Sequence, residues 1–219
     1  MADIVIFGAG DTARLAHVYF TRDSDHTVAA FTVDAANRRS KRFVGLPLVD
    51  FETVAITYPP GRYQMFIAMG PAQMNRARAE IYYRAGKLGY ELVSYVSTRC
   101  TLLTDQPVGA NCFILEHNII QPFAKIGNNV TLWSGNHIGH DAIVENHCFI
   151  SSHVVVSGRV RVGQYSLLES NCTIRYGVTI APETLVSAGA VITHDTVERG
   201  VYVPGNQEPL AMRSDEVEE

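Results

Sequence analysis

From Leu102 to Ile192 every sixth residue is leucine, isoleucine or valine, at sixteen successive positions. A period of six matches neither the 3.6-residue repeat of a helix nor the two-residue alternation of a flat strand. A fixed short period marks a solenoid, in which each repeat buries its apolar face only against its neighbours. A short strand followed by a corner, three times per coil, satisfies the spacing and predicts about five coils, each rising by about 4.8 Å. Four residues after the ladder positions stand Cys112, Ala124, Ala142, Cys148, Ser166 and Cys172, so that slot is cramped and interior. Gly109, Gly127, Gly139 and Gly163 directly follow ladder residues. Tight corners with positive φ are expected there.

The pattern before residue 100 is different. Apolar runs at residues 3–7, 28–33, 64–69 and 92–96 alternate with helical stretches after Thr12 and across 73–87. Such alternation predicts βαβ units and a parallel sheet. The fold class expected is α/β plus β-solenoid. A small Rossmann-like domain (1–100) precedes a solenoid (101–205) and an acidic tail (206–219) with the composition of a disordered segment.

Composition narrows the setting. A net charge of −4 argues against a nucleic-acid partner, which calls for a basic surface. No apolar run approaches the 18 residues of a membrane span, and no basic-then-apolar leader opens the chain, so a cytoplasmic setting is expected. Three of the four cysteines fall in the cramped slot and read as buried small side chains rather than metal or redox groups.

Two stretches carry candidate chemistry. Gly8-Ala9-Gly10-Asp11-Thr12-Ala13 follows a strand and opens a helix. Backbone N–H groups there can hold a diphosphate. Asp34 ends the second strand, where an acid can bind a ribose hydroxyl, and Gly70 ends the third at the same end of the sheet. These features alone suggest NAD, yet about 100 residues give room for one mononucleotide half. A turn that binds nothing remains the alternative. Arg38, Arg39, Lys41 and Arg42 could neutralise a diphosphate or form a solvated loop.

Five of the eight histidines lie between His117 and His153. His140, two residues past Ile138, should lie outside the coil and be free to act as a general base, with Asp141 orienting its ring. No Ser/His/Asp constellation is evident, so no acyl-enzyme is expected.

Ile126-Gly127-Asn128-Asn129, Ile138-Gly139-His140-Asp141 and Val162-Gly163-Gln164-Tyr165 resemble the hexapeptide repeat of left-handed parallel β-helix acyltransferases. With GAGDTA ahead of it, the chain resembles the sugar O-/N-acetyltransferases of the sialic acid O-acetyltransferase and bacillosamine-pathway N-acetyltransferase group. That resemblance implies a left-handed coil, a homotrimer and acetyl-CoA lying between adjacent subunits. It implies a nucleotide-linked sugar held at Gly8, Gly10, Asp11, Thr12, Asp34 and Gly70, and His140 with Asp141 as the catalytic pair. Carried over by position, Gly158 offers its N–H to the thioester carbonyl, while Ser170, Ala188 and Gly189 line the path of the donor. The reaction implied is N-acetylation of an amino sugar, with O-acetylation of a hydroxyl, as on sialic acid, or a non-catalytic scaffold as alternatives.

The sequence departs from the family at two places. Phe149 stands where a second histidine is common, leaving His147 or His153 as substitutes, and residues 203–209 replace the usual closing motif. The same β-helix carries zinc in γ-class carbonic anhydrases, but their histidine spacing is absent, so no metal is expected.

Overall fold

The computed structural model describes residues 3–205. The 206–219 tail and most of the 203–209 departure lie outside the described residues. The chain begins with β1 (Asp3–Phe7), α1 (Asp11–Arg22), β2 (Thr27–Val33), β3 (Arg42–Phe43), β4 (Leu46–Asp50), α2 (Val54–Thr57), β5 (Tyr63–Ile67) and α3 (Arg76–Lys87). They form a five-stranded sheet in the order β3-β4-β2-β1-β5. It is parallel throughout except for the β3–β4 hairpin, which turns on the left-handed residues Val44 and Gly45.

Alternation along β1 divides the core. Ile4 and Ile6 face Ala13, Ala16 and Phe20 of α1 on one side, and Val5 and Phe7 face Ile81 and Ala85 of α3 on the other. The α1 residues recur at helical spacing and give that helix its single apolar stripe. Asp11 in its first turn suits the positive end of the helix dipole.

The solenoid has three parallel sheets of seven, six and four strands among the described residues. The two-residue strands pair with the strand 18 residues on, as Leu132 with Ile114 and Ile150 with Leu132, except for the last pair, Leu185 with Val201, which is 16 residues apart. The ladder residues from Ile114 to Val186 are at most 5% exposed, and Cys112, Cys148 and Cys172 are fully buried. Burial pushes the Cys148 and Cys172 thiols up to about 12, which leaves them protonated and inert at neutral pH.

Three expectations change. Residues 92–96 do not supply a fourth strand to the N-terminal sheet. Leu92 makes one bridge to Met65, and Tyr95–Val96 instead opens the seven-stranded face of the solenoid by pairing with Phe113–Ile114. The helix expected across 73–87 begins at Arg76, because Gln73, Met74 and Asn75 are all left-handed. Positive φ in the coils falls on the third residue after each ladder position, as at Asn111, Asn129, Asp141 and Asn171, and not on Gly109, Gly127, Gly139 or Gly163. Those four are glycine because a Cβ would run into the adjacent coil: onto Gly127, Asn146, Gly158 and Pro182 respectively.

The N-terminal domain is seated firmly on the seven-stranded face. Arg78 of α3 is 2% exposed and donates to Thr131 Oγ1, to the Cys148 carbonyl (3.1 Å) and to Asn75 Oδ1 (3.2 Å). Asn111 accepts from the Ile67 N–H at 2.7 Å. Tyr19 donates to Glu116 at 2.8 Å, and Asp23 accepts from Tyr95 (2.5 Å), Ser97 (2.9 Å) and both the hydroxyl and the N–H of Thr98.

Arg78→Ala leaves the Thr131 hydroxyl and the Cys148 carbonyl without this donor in a buried seam, and should destabilise the protein by roughly 2–4 kcal/mol in denaturant titration. Burial alone would raise the Asp23 carboxyl, but the hydrogen bonds from Thr98, Tyr95 and Ser97 hold it down at about 2. The unfolded state, where the group titrates near its ordinary value, therefore takes up the proton first as pH falls. The stabilisation is complete above about pH 4 and is lost as pH drops toward 2. Asp23→Asn should flatten that acid limb of a melting-temperature profile and lower stability at neutral pH.

Candidate active site

The 18-residue register stacks corner residues along each of the prism's three edges. The edge between the six- and four-stranded faces carries, in successive coils, Phe123, His140 with Asp141, Gly158 with Arg159, and Tyr176 with Gly177. His140 sits outside the coil with its side chain 46% exposed. Its backbone N–H donates to Gln121 Oε1 at 2.8 Å, which fixes the corner. The next residue, Asp141, is left-handed (φ 58) and its Oδ2 lies 2.8 Å from His140 Nδ1. A carboxylate only accepts, so Nδ1 carries the proton and Nε2 presents its lone pair.

That lone pair lies over Gly158. A Cβ built on Gly158 would stand 2.7 Å from His140 Nε2, so only glycine leaves the ring where it is. At three corners of the stack the N–H two residues past a ladder position is capped by a side chain 19 residues earlier, and at Ala110 and Asn128 by an asparagine 18 residues later. Gln121 caps His140, Glu145 caps Gln164 and Glu169 caps Ala188. The position that would cap Gly158 is Gly139, which has no side chain. The Gly158 N–H consequently has no hydrogen-bond partner among the described residues, although the residue is buried. Buried unpaired N–H groups are rare in folded proteins. Beside a histidine lone pair, this one forms a donor–base pair suited to an acyl oxygen and an attacking nucleophile.

Ser170, Ala188 and Gly189 are not brought to this edge. They follow Leu168 and Val186 and occupy the corner between the seven- and six-stranded faces, away from His140 within one chain. The two histidines considered as substitutes lie on other edges as well. His147 is 2% exposed and forms a seam with α3: Nε2 is 2.9 Å from the Tyr83 hydroxyl, Nδ1 2.9 Å from Asn129, and the ring stacks on Tyr165. Burial, helped by the Arg78 charge, pushes it down to about 4, so it is neutral at ordinary pH. His153 shares the corner of Ser170 and Ala188. Phe149 lies beneath Arg78, whose Cζ is 5.7 Å from its ring.

The histidine cluster has a local explanation. His117, His147 and His153 each hold a left-handed corner slot (φ 60, 63 and 58), a conformation in which histidine is enriched. Among the described residues no group of three His, Cys, Asp or Glu could hold a metal. The residues missed by sequence reasoning are Gly139, through the cap it omits, and Tyr176, whose ring centroid is 6.0 Å from that of His140. The signal for both was the 18-residue coil, read as register between corners.

A second concavity, a cleft of about 290 Å³, opens at the C-terminal ends of β1, β2 and β5. Gly8, Gly10, Asp11, Thr12 and Gly70 line it together with Asn37, Met69 and Ala72. Gly8 is required there, since it has φ 130 and a Cβ would lie 2.6 Å from the Ala68 carbonyl. Gly10 caps α1, whose first N–H groups border the cleft. Asp34 does not line it. Both its oxygens accept from Arg84 of α3, at 3.1 and 2.5 Å. Within the basic cluster, Arg38 is paired with Asp50 and Arg42 donates to the Gly45 carbonyl.

Comparison with known proteins bears on the fold and on the repeat. Curated relatives include the acyl-[acyl-carrier-protein]–UDP-N-acetylglucosamine O-acyltransferase of Stutzerimonas stutzeri, 29% identical over 99 residues. That alignment covers 45% of this chain and 33% of the relative, so the chain spans about a third of the curated proteins it matches. Among solved structures, a point mutant of the perosamine N-acetyltransferase of Caulobacter crescentus in complex with CoA and GDP-perosamine aligns with a TM-score of 0.82. Its sequence is 24% identical, and the alignment covers 93% of this chain and 94% of that one. The acetyltransferase domain of PglB from Neisseria gonorrhoeae gives 0.78 at 18% identity, covering 96% and 100%. The described residues therefore share the fold of these structures, and residues 123–158, which hold Phe123, His140, Asp141 and Gly158, match the bacterial transferase hexapeptide (six repeats) family.

Proposed function

We propose that this protein is an acetyl-CoA-dependent N-acetyltransferase acting on the amino group of a nucleotide-linked sugar. The observation that carries the reading is the buried, uncapped Gly158 N–H beneath the Nε2 lone pair of His140. His140 accepts the proton of the acceptor amine as its nitrogen bonds to the acyl carbon, and Asp141 steadies the imidazolium that results. The Gly158 N–H faces the oxygen on which charge develops, and removing an oxyanion donor costs about 3–4 kcal/mol in a serine protease. His140 then returns the proton to the departing sulfur, giving the amide and the free thiol. No side chain is acylated.

The cleft at Gly8, Gly10, Asp11, Thr12 and Gly70 supports a nucleotide-linked acceptor, because helix N-terminal N–H groups favour a diphosphate. The GDP-perosamine and CoA bound by the aligned acetyltransferase agree with an amino sugar and this donor. Asp34 is proposed to act with Arg84 as a brace at the rim, in place of direct ribose contact. The coil is inferred to be left-handed and the N-terminal domain Rossmann-like. We also infer a homotrimer: Gly158 and His140 lie on one edge, and Ser170, Ala188 and Gly189 on another. A groove between two copies would bring both sets to one donor.

The test is a thiol-release assay with acetyl-CoA against nucleotide-linked amino sugars and free sialic acid. Release with an amino-sugar nucleotide is expected. Release with sialic acid alone would move the reaction to O-acetylation, and no release with any acceptor would leave a scaffold. His140→Ala should reduce kcat by at least about 100-fold. Gly158→Ala should displace the His140 ring and lower kcat at least about 10-fold, with the melting temperature little changed.

A further inference from the structure

Resting on the acyltransfer reading above, we propose that Gln121 is a positioning residue for His140 and that its lack of charge is part of the role. It clamps the corner as a glutamate would, without setting a second carboxylate beside the base. Three corners of the solenoid are closed by the same device, a side-chain oxygen accepting from the N–H 19 residues on, and each lies on a different edge of the prism. The oxygens belong to Gln121, Glu145 and Glu169, with bonds of 2.8, 3.0 and 3.1 Å. Glutamine and glutamate thus do the same geometric work. Of the three, the one beside His140 is the glutamine.

The clamp grips the catalytic pair from the preceding coil. Gln121 holds the His140 N–H, and the carbonyl of the next residue, Pro122, accepts from the Asp141 N–H at 3.3 Å. The His140 nitrogen stands three bonds from its imidazole, which places the Gln121 oxygen within about 7 Å of the nearest ring atom. That is inside the screening length of about 8 Å at physiological salt. The ring itself faces the Asp141 carboxylate at Nδ1 and the Tyr176 ring, whose centroid is 6.0 Å away, with the Arg159 guanidinium 5.9 Å from the Tyr176 centroid. Asp141 already supplies the one carboxylate that orients Nδ1–H. A second would favour the imidazolium before the acceptor arrives, when the reaction needs the free lone pair on Nε2. At the other two corners the capped residues are Gln164 and Ala188, which take no proton, and Glu145 is also paired with Arg161.

The experiment records pH profiles of kcat/KM for thiol release from acetyl-CoA, with the acceptor that the panel above identifies. The proteins are the wild type, Gln121→Glu, Gln121→Ala and, as the control, Glu145→Gln. The acceptor amine titrates alike with all four, so a difference between acid limbs belongs to the protein. Gln121→Glu should keep the wild-type melting temperature and move the acid limb to higher pH by at least about 0.5 unit, with the high-pH plateau within about 3-fold. Gln121→Ala, with the corner released, should lower the plateau at least about 5-fold and leave the limb in place. Glu145→Gln should change neither. A Gln121→Glu limb within about 0.2 unit of wild type, a Gln121→Ala plateau within about 2-fold, or a limb moved as far by Glu145→Gln each overturns the proposal while the acyltransfer reading stands. If the wild type releases thiol with no acceptor of the panel, that reading falls and takes the clamp with it.

Discussion

Everything in this molecule depends on one packing constraint: an aliphatic side chain every sixth residue must point into a prism too narrow for anything else. From Cys112 to Ala190 the slot four residues on is filled by Cys, Ala, Ser, Asn, Thr or Val, and no larger group is found there. With the interior so restricted, successive coils stack in an 18-residue register as far as Ile192, and only the closing pair, Leu185 with Val201, is 16 residues apart. That register turns sequence spacing into position along an edge. His140, Gly158 and Tyr176 are neighbours because they stand one coil apart, and they project outward because the ladder residues beside them project inward. The constraint also forces the backbones close together. Gly139 is needed where its Cβ would strike Gly158, and being glycine it supplies no cap for the Gly158 N–H. Close packing and the unpaired donor thus have a single origin.

The N-terminal domain adds a second requirement, a fixed seat. A buried arginine with no carboxylate partner among the described residues is costly. Arg78 is retained with two hydrogen bonds across the seam, to Thr131 and the Cys148 carbonyl, a third to Asn75 on its own side, and the face of Phe149 beneath it. Asp23, Tyr19 and Asn111 tie the other side to Ser97, Thr98, Glu116 and Ile67. The cleft at Gly8 and Gly10 is thereby held in a set relation to the solenoid. His147 belongs to this seam; burial keeps it neutral and engaged with Tyr83 and Asn129.

Much of the solenoid was legible because its signal is one-dimensional. The ladder, the interior cysteines and the outward placement of His140 beside Asp141 follow from counting in sixes. What was illegible depended on contacts between coils or between domains. Gly127 and Gly139 read as flexible corners, whereas they are close approaches to the next coil, and the left-handed slot lies two residues further on. Residues 92–96 have the composition of a sheet strand, and only the competing pairing partner, Phe113–Ile114, decides where Tyr95–Val96 goes. Asp34 stands where a ribose ligand would, but Arg84, 50 residues away, claims it. His117, His147 and His153 looked like chemistry and are turn residues. Ser170, Ala188 and Gly189 fell on a different edge from His140 because coil position modulo 18, and not modulo 6, names the edge.

The account stands on the Gly158 N–H being the group that receives the acyl oxygen. The direct measurement is a crystal structure of the protein with acetyl-CoA or a non-hydrolysable thioether analogue bearing the carbonyl. The carbonyl oxygen is expected within about 3 Å of the Gly158 nitrogen, with the carbonyl carbon on the His140 side. A donor bound with its carbonyl on another edge, and the Gly158 N–H satisfied by water or by a neighbouring subunit, would contradict it.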